Sequence, residues 1–470
     1  MSLQFDNSYA RALPEGVLRL DPDAAPLPQL LCLNAAVLAE LGLQISPEAA
    51  ALWFSGAEVP PGAKPVAQAY AGHQFGGFSP RLGDGRAHLL GEVLGADGRR
   101  WDIALKGSGR TPFSRGGDGK AAVGPMLREY LISEAMAALG IPTTRALAVV
   151  ATGERVWRET GGLPGAVLAR LAASHIRVGT FQYFHARGEG DNLRKLLDYT
   201  IARHYPEAAL AELPALAMFD AVVARQARLI AQWMGVGFIH GVMNTDNMAL
   251  SGETIDYGPC GFMEGYAPGT VFSSIDHQGR YAYANQPLIL GWNLARLAET
   301  LLGFFAAEAE QAVDVANARL VGIAPIYQAE WLAVMRAKLG LLGEDAGDVA
   351  LVEDFLGLIE AADWTLVFHR LGAGDTGLIK DQNGLQAWLS RWQARRGAGW
   401  QAAMAAANPS VIPRNHLVEQ ALSAATAGDM APFEALLAAV RTPFGPVAGR
   451  EAFALPAPSG FGPYVTYCGT

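Results

Sequence analysis

The stretch His240-Gly241-Val242-Met243-Asn244-Thr245-Asp246-Asn247, followed by Thr254-Ile255-Asp256-Tyr257-Gly258, constrains the fold more than any other part of this chain. Just upstream, apolar residues recur at Phe219, Val222, Val223, Leu229, Ile230 and Trp233. That spacing, a period of about 3.6 residues, predicts a long helix with a single buried stripe. Gly235 and Gly237 are placed to end it before His240. A turn dense in Asn and Asp therefore follows a buried helix and leads into a short strand ending at Asp256. Asn and Asp favour turns because their side chains bond back to nearby backbone, so a bare turn is one reading. The other is chemical. Asn247 and Asp256 offer the hard oxygen ligands that magnesium prefers, and Asp246 is a carboxylate able to take a proton.

The segments ahead of this stretch read as a small lobe of strands with one helix. Residues 87–93, the turn Gly95-Ala96-Asp97-Gly98 and residues 101–106 have the pattern of a β-hairpin whose second strand closes on Lys106. A helix is predicted over 125–139, with Pro125 in its first turn, apolar positions at Met126, Leu127, Tyr130, Leu131, Ala135 and Leu139, and Gly140 with Pro142 as the stop. It carries two carboxylates, Glu129 and Glu134. Strands are expected over 146–150 and 166–171, with a turn at Thr152-Gly153-Glu154. Beyond Asn293 the pattern is mostly helical, through 294–305, 330–342, 352–361 and 433–440, before an ordered or semi-ordered Gly/Pro-rich tail over 445–462.

This order resembles that of the bilobal protein-kinase-like enzymes, an α+β fold with a strand-rich N-lobe, one main helix and a larger helical C-lobe. In such enzymes a strand lysine pairs with a helix glutamate, an Asp takes a proton, an Asn and a second Asp hold magnesium, and a Gly lets the chain turn. Lys106 and Glu129 occupy the lysine and glutamate places, with Glu134 the competing carboxylate. Val242 stands where small-molecule kinases of this fold carry an Asp after His-Gly, and it can neither accept a proton nor bind metal. Leu82-Gly83-Asp84-Gly85-Arg86-Ala87 takes the place of the glycine-rich loop, whose glycines let a ligand approach the backbone. Its acid and base are unusual for a phosphate cover, so a nucleotide is expected to sit differently beneath it. Gly116-Gly117-Asp118-Gly119-Lys120 is a second flexible loop, able to fold over a nucleotide through Asp118 or to be a plain connection. Arg170 and Arg177 follow the last small-lobe strand, where a guanidinium can grip phosphate in a bidentate way.

At 470 residues the chain exceeds the size at which one core stops growing. The expected division is an N-terminal extension over 1–65 packing on the core, an N-lobe over 66–172, a helical C-lobe over 173–400 and a C-terminal extension over 401–470. Hydrophobic residues at 51% and charged residues at 17% fit a globular enzyme. A net charge of −9 argues against nucleic acid as a partner, since such binders need a basic face. The three cysteines, Cys32, Cys260 and Cys468, lack CxxC spacing, which excludes a zinc cluster and a disulfide framework. No basic n-region, apolar leader or uncharged membrane span is visible, so a cytoplasmic, membrane-free protein is the expectation.

Longer motifs narrow the resemblance. Tyr70-Ala71-Gly72-His73-Gln74-Phe75-Gly76, Leu105-Lys106-Gly107-Ser108-Gly109-Arg110-Thr111-Pro112, Ile275-Asp276-His277-Gln278-Gly279-Arg280-Tyr281 and Asn408-Pro409-Ser410-Val411-Ile412-Pro413-Arg414-Asn415, together with the 82–87 and 240–247 stretches, are similar to signatures of the selenoprotein O (SelO/YdiU) family of kinase-fold protein adenylyltransferases. The resemblance implies transfer of AMP from ATP to Ser, Thr or Tyr hydroxyls of proteins, redox-related proteins among them, with release of pyrophosphate. Self-modification and use of UTP are variants it leaves open. It implies an inverted nucleotide, Mg2+ or Mn2+ as cofactor, and a monomer as the default. Gly83, Gly85, Arg86, Lys106, Asp118, Gly119, Arg170, Arg177 and Asp256 match ATP-contacting positions, Asp246 the base, and Asn247 with Asp256 the metal ligands. A selenocysteine near the C-terminus in some family members matches Cys468, which suggests an oxidisable pair with Cys260 against the simpler case of two unconnected thiols. An ordinary phosphotransferase and an inactive nucleotide-binding scaffold are the alternatives. The absent Asp at Val242 counts against the first, and the retained Lys106, Asn247 and Asp256 against the second.

Overall fold

A computed structural model describes residues 3–159 and 161–467. Its strands in chain order begin β1 (Val17–Arg19), β2 (Gln29–Leu33), β3 (Val66–Gln68), β4 (Gly72–Gln74), β5 (Gly77–Ser79), β6 (Ala87–Leu94), β7 (Arg100–Lys106), β8 (Arg145–Arg158) and β9 (Gly161–Ala172). Seven of them form one sheet in the order β1-β3-β6-β7-β9-β8-β2, every neighbouring pair antiparallel, while β4 and β5 make a separate hairpin. The predicted hairpin is the β6–β7 pair, closed by Gly98 in a left-handed turn (φ 77°).

Both faces of the sheet are covered, and strand alternation assigns the residues to them. Ile103 and Leu105 of β7, with Val167, Ala169 and Leu171 of β9, pack beneath the short helices Ala35–Glu40 and Pro47–Ser55 through Val37, Leu38 and Phe54. Residues 104 and 106 of β7 and 168 and 170 of β9 face the other way. There Ala104 and Leu168 pack with Met126, Leu127 and Leu131 of the helix Val123–Ala138. The register pairs Ala104 with Arg170 and Lys106 with Leu168. Lys106 and Arg170 are thus diagonal neighbours on one face, opposite that helix.

Two local expectations are corrected. Thr152–Glu154 does not end a strand. It is an irregularity within β8, where pairing jumps from Ala151↔Ala166 to Arg155↔Pro164 and Gly153 at φ 80° absorbs the extra residues. Gly235 does not stop the long helix, which runs Pro214–Val236 and ends at Gly237 in the left-handed conformation (φ 71°). A Cβ on Gly235 would lie 2.5 Å from Val334 Cγ1, so that glycine permits close packing against the helix Ile323–Leu339.

The remainder is helical, giving an α+β chain with a sheet-rich N-terminal part and a helical C-terminal part, consistent with two lobes. Two short strands, β10 (Phe238–Ile239) and β11 (Gly261–Phe262), pair and bracket the Asn/Asp-rich turns. The segment Tyr283–Phe305 is long and apolar enough to cross a membrane, yet half of it is buried, with Leu290, Leu294, Leu297 and Leu301 in the core. The C-terminal tail is ordered against the rest. Thr466 bridges Ser273, and Arg414 Nη2 donates to Ala454 O at 2.9 Å.

Candidate active site

Five charged side chains meet where the sheet, the helix Val123–Ala138 and the Asp256 turn converge. Lys106 Nζ lies 2.5 Å from Glu129 Oε2 and 2.6 Å from Asp256 Oδ1. Arg170 Nε is 3.1 Å from Glu129 Oε1, and its Nη2 is 2.9 Å from Asp256 Oδ1. Arg177, at the start of the helix Val178–Ala186, places Nη1 3.4 Å from Asp256 Oδ2 and donates to the Asp246 carbonyl at 2.9 Å. Its guanidinium lies over the Tyr70 ring, 4.5 Å from the centroid. Burial alone would raise the Asp256 carboxyl, but Arg170, Lys106 and Arg177 together outweigh it and hold the group well below the usual carboxylate range. Three cations face two carboxylates here, and the Asp84 and Asp246 carboxylates also act on Arg177. The other helix carboxylate, Glu134, is engaged by Arg145 at 2.8 Å and Arg441 at 3.0 Å, which leaves Glu129 as the partner of Lys106.

The turn itself is strained at an informative place. Asp256, not Gly258, adopts the left-handed conformation, at φ 65°. Asp tolerates that region better than most residues, and a strained backbone persists only where its surroundings over-determine it. Here three cations pull on the side chain while His240 Nε2 bonds the Ile255 carbonyl at 2.9 Å. Burial lowers the His240 pKa, and its ring stacks on Trp233. A neutral imidazole thus ties the two turns together.

Asp246 is nearly buried. Its Oδ2 accepts from Gln74 Nε2 at 3.3 Å, while Oδ1 is buried without a hydrogen-bond partner. Burial is the main cause that pushes its carboxyl up to about 6, only partly offset by Arg177. Such a group is poised to exchange a proton near neutrality. Asn247 donates Nδ2 to the Val242 carbonyl at 2.9 Å, which commits its amide nitrogen and leaves Oδ1 as the ligand-type atom. Among the described residues no group of three or more His, Cys, Asp or Glu is arranged to hold a metal. The Asn247 Oδ1 and the Asp256 carboxylate are hard oxygen donors of the kind that magnesium takes beside phosphate oxygens and water.

The glycine loop packs tightly against residues 113–114. Gly83 (φ 69°) lies against Phe113, whose ring atoms a Cβ would meet at 2.3 Å. The Asp84 carboxylate turns inward to accept from Gln68 N at 3.0 Å, and burial raises its pKa. Its charge is spent inside the fold, so of the loop's acid and base only Arg86 reaches the cavity. That cavity, about 830 Å3, is lined by Arg86, Lys106, Arg128, Glu129, Gly258 and the tail residue Tyr464 among others. The size suits a nucleotide. Asp118 lies apart from the Lys106 cluster, with Oδ2 2.8 Å from Arg158 Nη1 and Oδ1 accepting from Lys120 N at 3.0 Å. Gly119 (φ 70°) passes so close to Gly109 that a Cβ would lie 2.1 Å from that carbonyl oxygen. Cys260 is a buried free thiol pushed up to about 11 by burial, and Cys468 lies outside the described residues.

Sequence reading missed Arg128. Its guanidinium donates to Gly258 O (3.1 Å), Cys260 O (2.6 Å), Glu419 Oε1 (3.0 Å) and Tyr464 Oη (2.8 Å). Only its position beside Glu129 hinted at a role, and nothing local marked Glu419 or Tyr464. Gln74 and Tyr70 lay within a motif already noted, but without an assigned contact.

A family model described as Protein adenylyltransferase SelO matches residues 1–441. The chain belongs to the SelO family. Relatives named Protein nucleotidyltransferase YdiU include one from Cereibacter sphaeroides, 60% identical with 100% of both chains covered. Another, from Mycolicibacterium smegmatis, is 56% identical over 98% of this chain and 97% of its own, and one from Rhizobium johnstonii is 56% identical over 99% and 97%. This SelO-family chain is therefore an enzyme of the nucleotidyltransferase class, and its reaction is transfer of AMP to protein. The scaffold alternative has no support.

Proposed function

We propose that the chain transfers AMP from ATP to Ser, Thr or Tyr hydroxyls of other proteins through a kinase-like pair of lobes in which the nucleotide is inverted. The observation that carries this reading is the grip of Lys106, Arg170 and Arg177 on Asp256. The cations rest on Asp256 and Glu129. When polyphosphate enters, they turn to its oxygens, which restores charge balance and frees Asp256. Asn247 and Asp256 would hold a divalent cation, Mg2+ or Mn2+, whose chemistry is to neutralise phosphate charge and fix its geometry. Arg86 adds charge at the cavity wall, and Gly83, Gly85, Asp118 and Gly119 are the further positions at which the family resemblance expects contact with ATP. The acceptor oxygen attacks the α-phosphorus as the bond to the pyrophosphate leaving group breaks, and Asp246 receives the hydroxyl proton.

The four-part division at residues 65, 172 and 400 remains a proposal, as do a cytoplasmic location and a monomer. The decisive experiment supplies ATP labelled separately at the α- and γ-phosphates. Label from the α-position on protein supports adenylylation, γ-label would instead mean phosphorylation, and Asp256→Ala is expected to abolish transfer. Near-normal labelling by that variant would defeat the assignment.

A further inference from the structure

The hairpin β4–β5 lies along Asn244–Asp246 and is bonded to that turn at successive residues. His73 N donates to Thr245 Oγ1 at 2.7 Å, Gln74 Nε2 to Asp246 Oδ2 at 3.3 Å, and Phe75 N to Asn244 Oδ1 at 3.2 Å. Tyr281 Oη donates to the same Asn244 oxygen at 2.5 Å, and the Phe75 ring packs edge-on against Tyr281. Phe75 itself is held at φ 51°, so the hairpin tip is presented in a fixed, unfavourable conformation.

Its outer side is apolar and exposed. Phe75 is 36% and Phe78 44% exposed, and the His73 ring lies tilted against Phe78 and edge-on to Trp292. Arg280 crosses this surface, 4.7 Å from the Trp292 centroid and 5.7 Å from that of Tyr281. Among the described residues no carboxylate lies within ion-pair distance of Arg280, and its Nε is buried without a hydrogen-bond partner. The nearest acid in sequence, Asp276, spends its oxygens on the Arg280 and Tyr281 amides at 2.9 and 2.8 Å. Arg296, 5.2 Å from the Trp292 centroid, is already paired with Glu299 at 2.5 Å. An unmatched guanidinium on an aromatic floor, in a chain of net charge −9, calls for an anionic partner.

We infer that this face binds the acceptor: an extended, hydroxyl-bearing segment of the substrate protein, with an apolar residue on Phe75 and Phe78 and an acidic residue on Arg280. The inference rests on the transfer reading above and specifies its substrate class. Its location follows from chemistry, because the acceptor hydroxyl must come within hydrogen-bond reach of Asp246 and the hairpin borders that carboxylate. Its shape follows from β5, which among the described residues pairs only with β4 and so offers a strand edge to an extended chain.

The test uses the full chain with α-labelled ATP and synthetic peptides containing one Ser, Thr or Tyr, in which a flanking position is walked with Asp or Lys. The wild type is expected to favour Asp peptides. Arg280→Glu is expected to raise KM for them by about tenfold with little change in kcat and to shift preference toward Lys peptides, a charge-reversal signature that misfolding cannot produce. Phe78→Ser should weaken the preference for an apolar neighbour, and both variants should bind ATP as the wild type does. Indifference of the wild type to peptide charge, or an equal loss of ATP affinity in Arg280→Glu, overturns the inference. Absence of α-label on any protein or peptide overturns the transfer reading itself and this inference with it.

Discussion

At the scale of single residues, the site depends on how little room surrounds Asp246. Gly72 is the clearest case: a Cβ there would meet Asp246 Oδ1 at 2.5 Å and Leu82 Cδ1 at 2.9 Å. Gly72→Ala must therefore displace the carboxylate or the hairpin, while the Lys106 cluster is untouched. Misplacing a reacting group by about 1 Å costs on the order of 100-fold in rate. Transfer is expected to fall by about that factor with ATP affinity retained, which turnover assays beside equilibrium nucleotide binding will show. Lys106, Glu129, Asp246 and Asp256 were legible in sequence because each sits at a recognisable offset from a strand, a helix or a turn. The left-handed Asp256 and the inward Asp84 were not, since both conformations answer to partners distant in the chain.

At the scale of elements, the helix Val123–Ala138 does more than present Glu129. One residue earlier, Arg128 ties it to the Asp256 turn through two carbonyls and to the C-terminal region through Glu419 and Tyr464. Arg128→Leu would leave those acceptors without their donor, and breaking a buried charged network of this kind typically costs about 3 kcal/mol. The Asp256 turn should loosen, seen as faster amide exchange over 256–262 and a raised KM for ATP. Arg128→Lys should recover little of this, because an ammonium cannot reach four acceptors in the fork geometry of a guanidinium. The helices and the β6–β7 hairpin were readable from periodicity. The irregular course of β8 and the packing role of Gly235 were not, because a glycine has the same local signature whether it ends an element or lets two elements approach.

At the scale of the whole molecule, Glu253 joins the sheet-rich and helical parts. Its Oε2 accepts from Ala173 N, just beyond β9, and from Ser251 Oγ, both at 2.9 Å. Burial is the largest influence and pushes its carboxyl from 4.5 up to about 7, with the Ser251 and Ala173 bonds opposing. A raised carboxyl means that the folded state holds this proton more tightly than the unfolded one. The contribution is then fully present below about pH 4.5 and is lost as pH rises through about 7. Glu253→Gln keeps an acceptor without the charge, so it should stabilise the chain above pH 7 by about 3 kcal/mol and change nothing near pH 4.5. Thermal melts of both proteins across that range will show whether the curves converge in acid.

By itself the sequence determined the elements and their order, because helix and strand periods, glycine stops and turn residues act over a few neighbouring positions. It also carried the family, through motifs long enough to be recognised, and the order of Lys106, Glu129, Asp246 and Asp256 along the chain. Only the tertiary structure decided that Lys106 and Arg170 share a face of the sheet, that both meet Arg177 on one carboxylate, and that Asp118 stands apart with Arg158. It alone brought the hairpin Gly72–Ser79 to Asp246 and laid the Arg280 guanidinium over Trp292. The physical reason is range: local patterns specify backbone conformation, whereas charge balance and burial depend on which residues, up to hundreds of positions apart, packing brings within a few ångströms of each other.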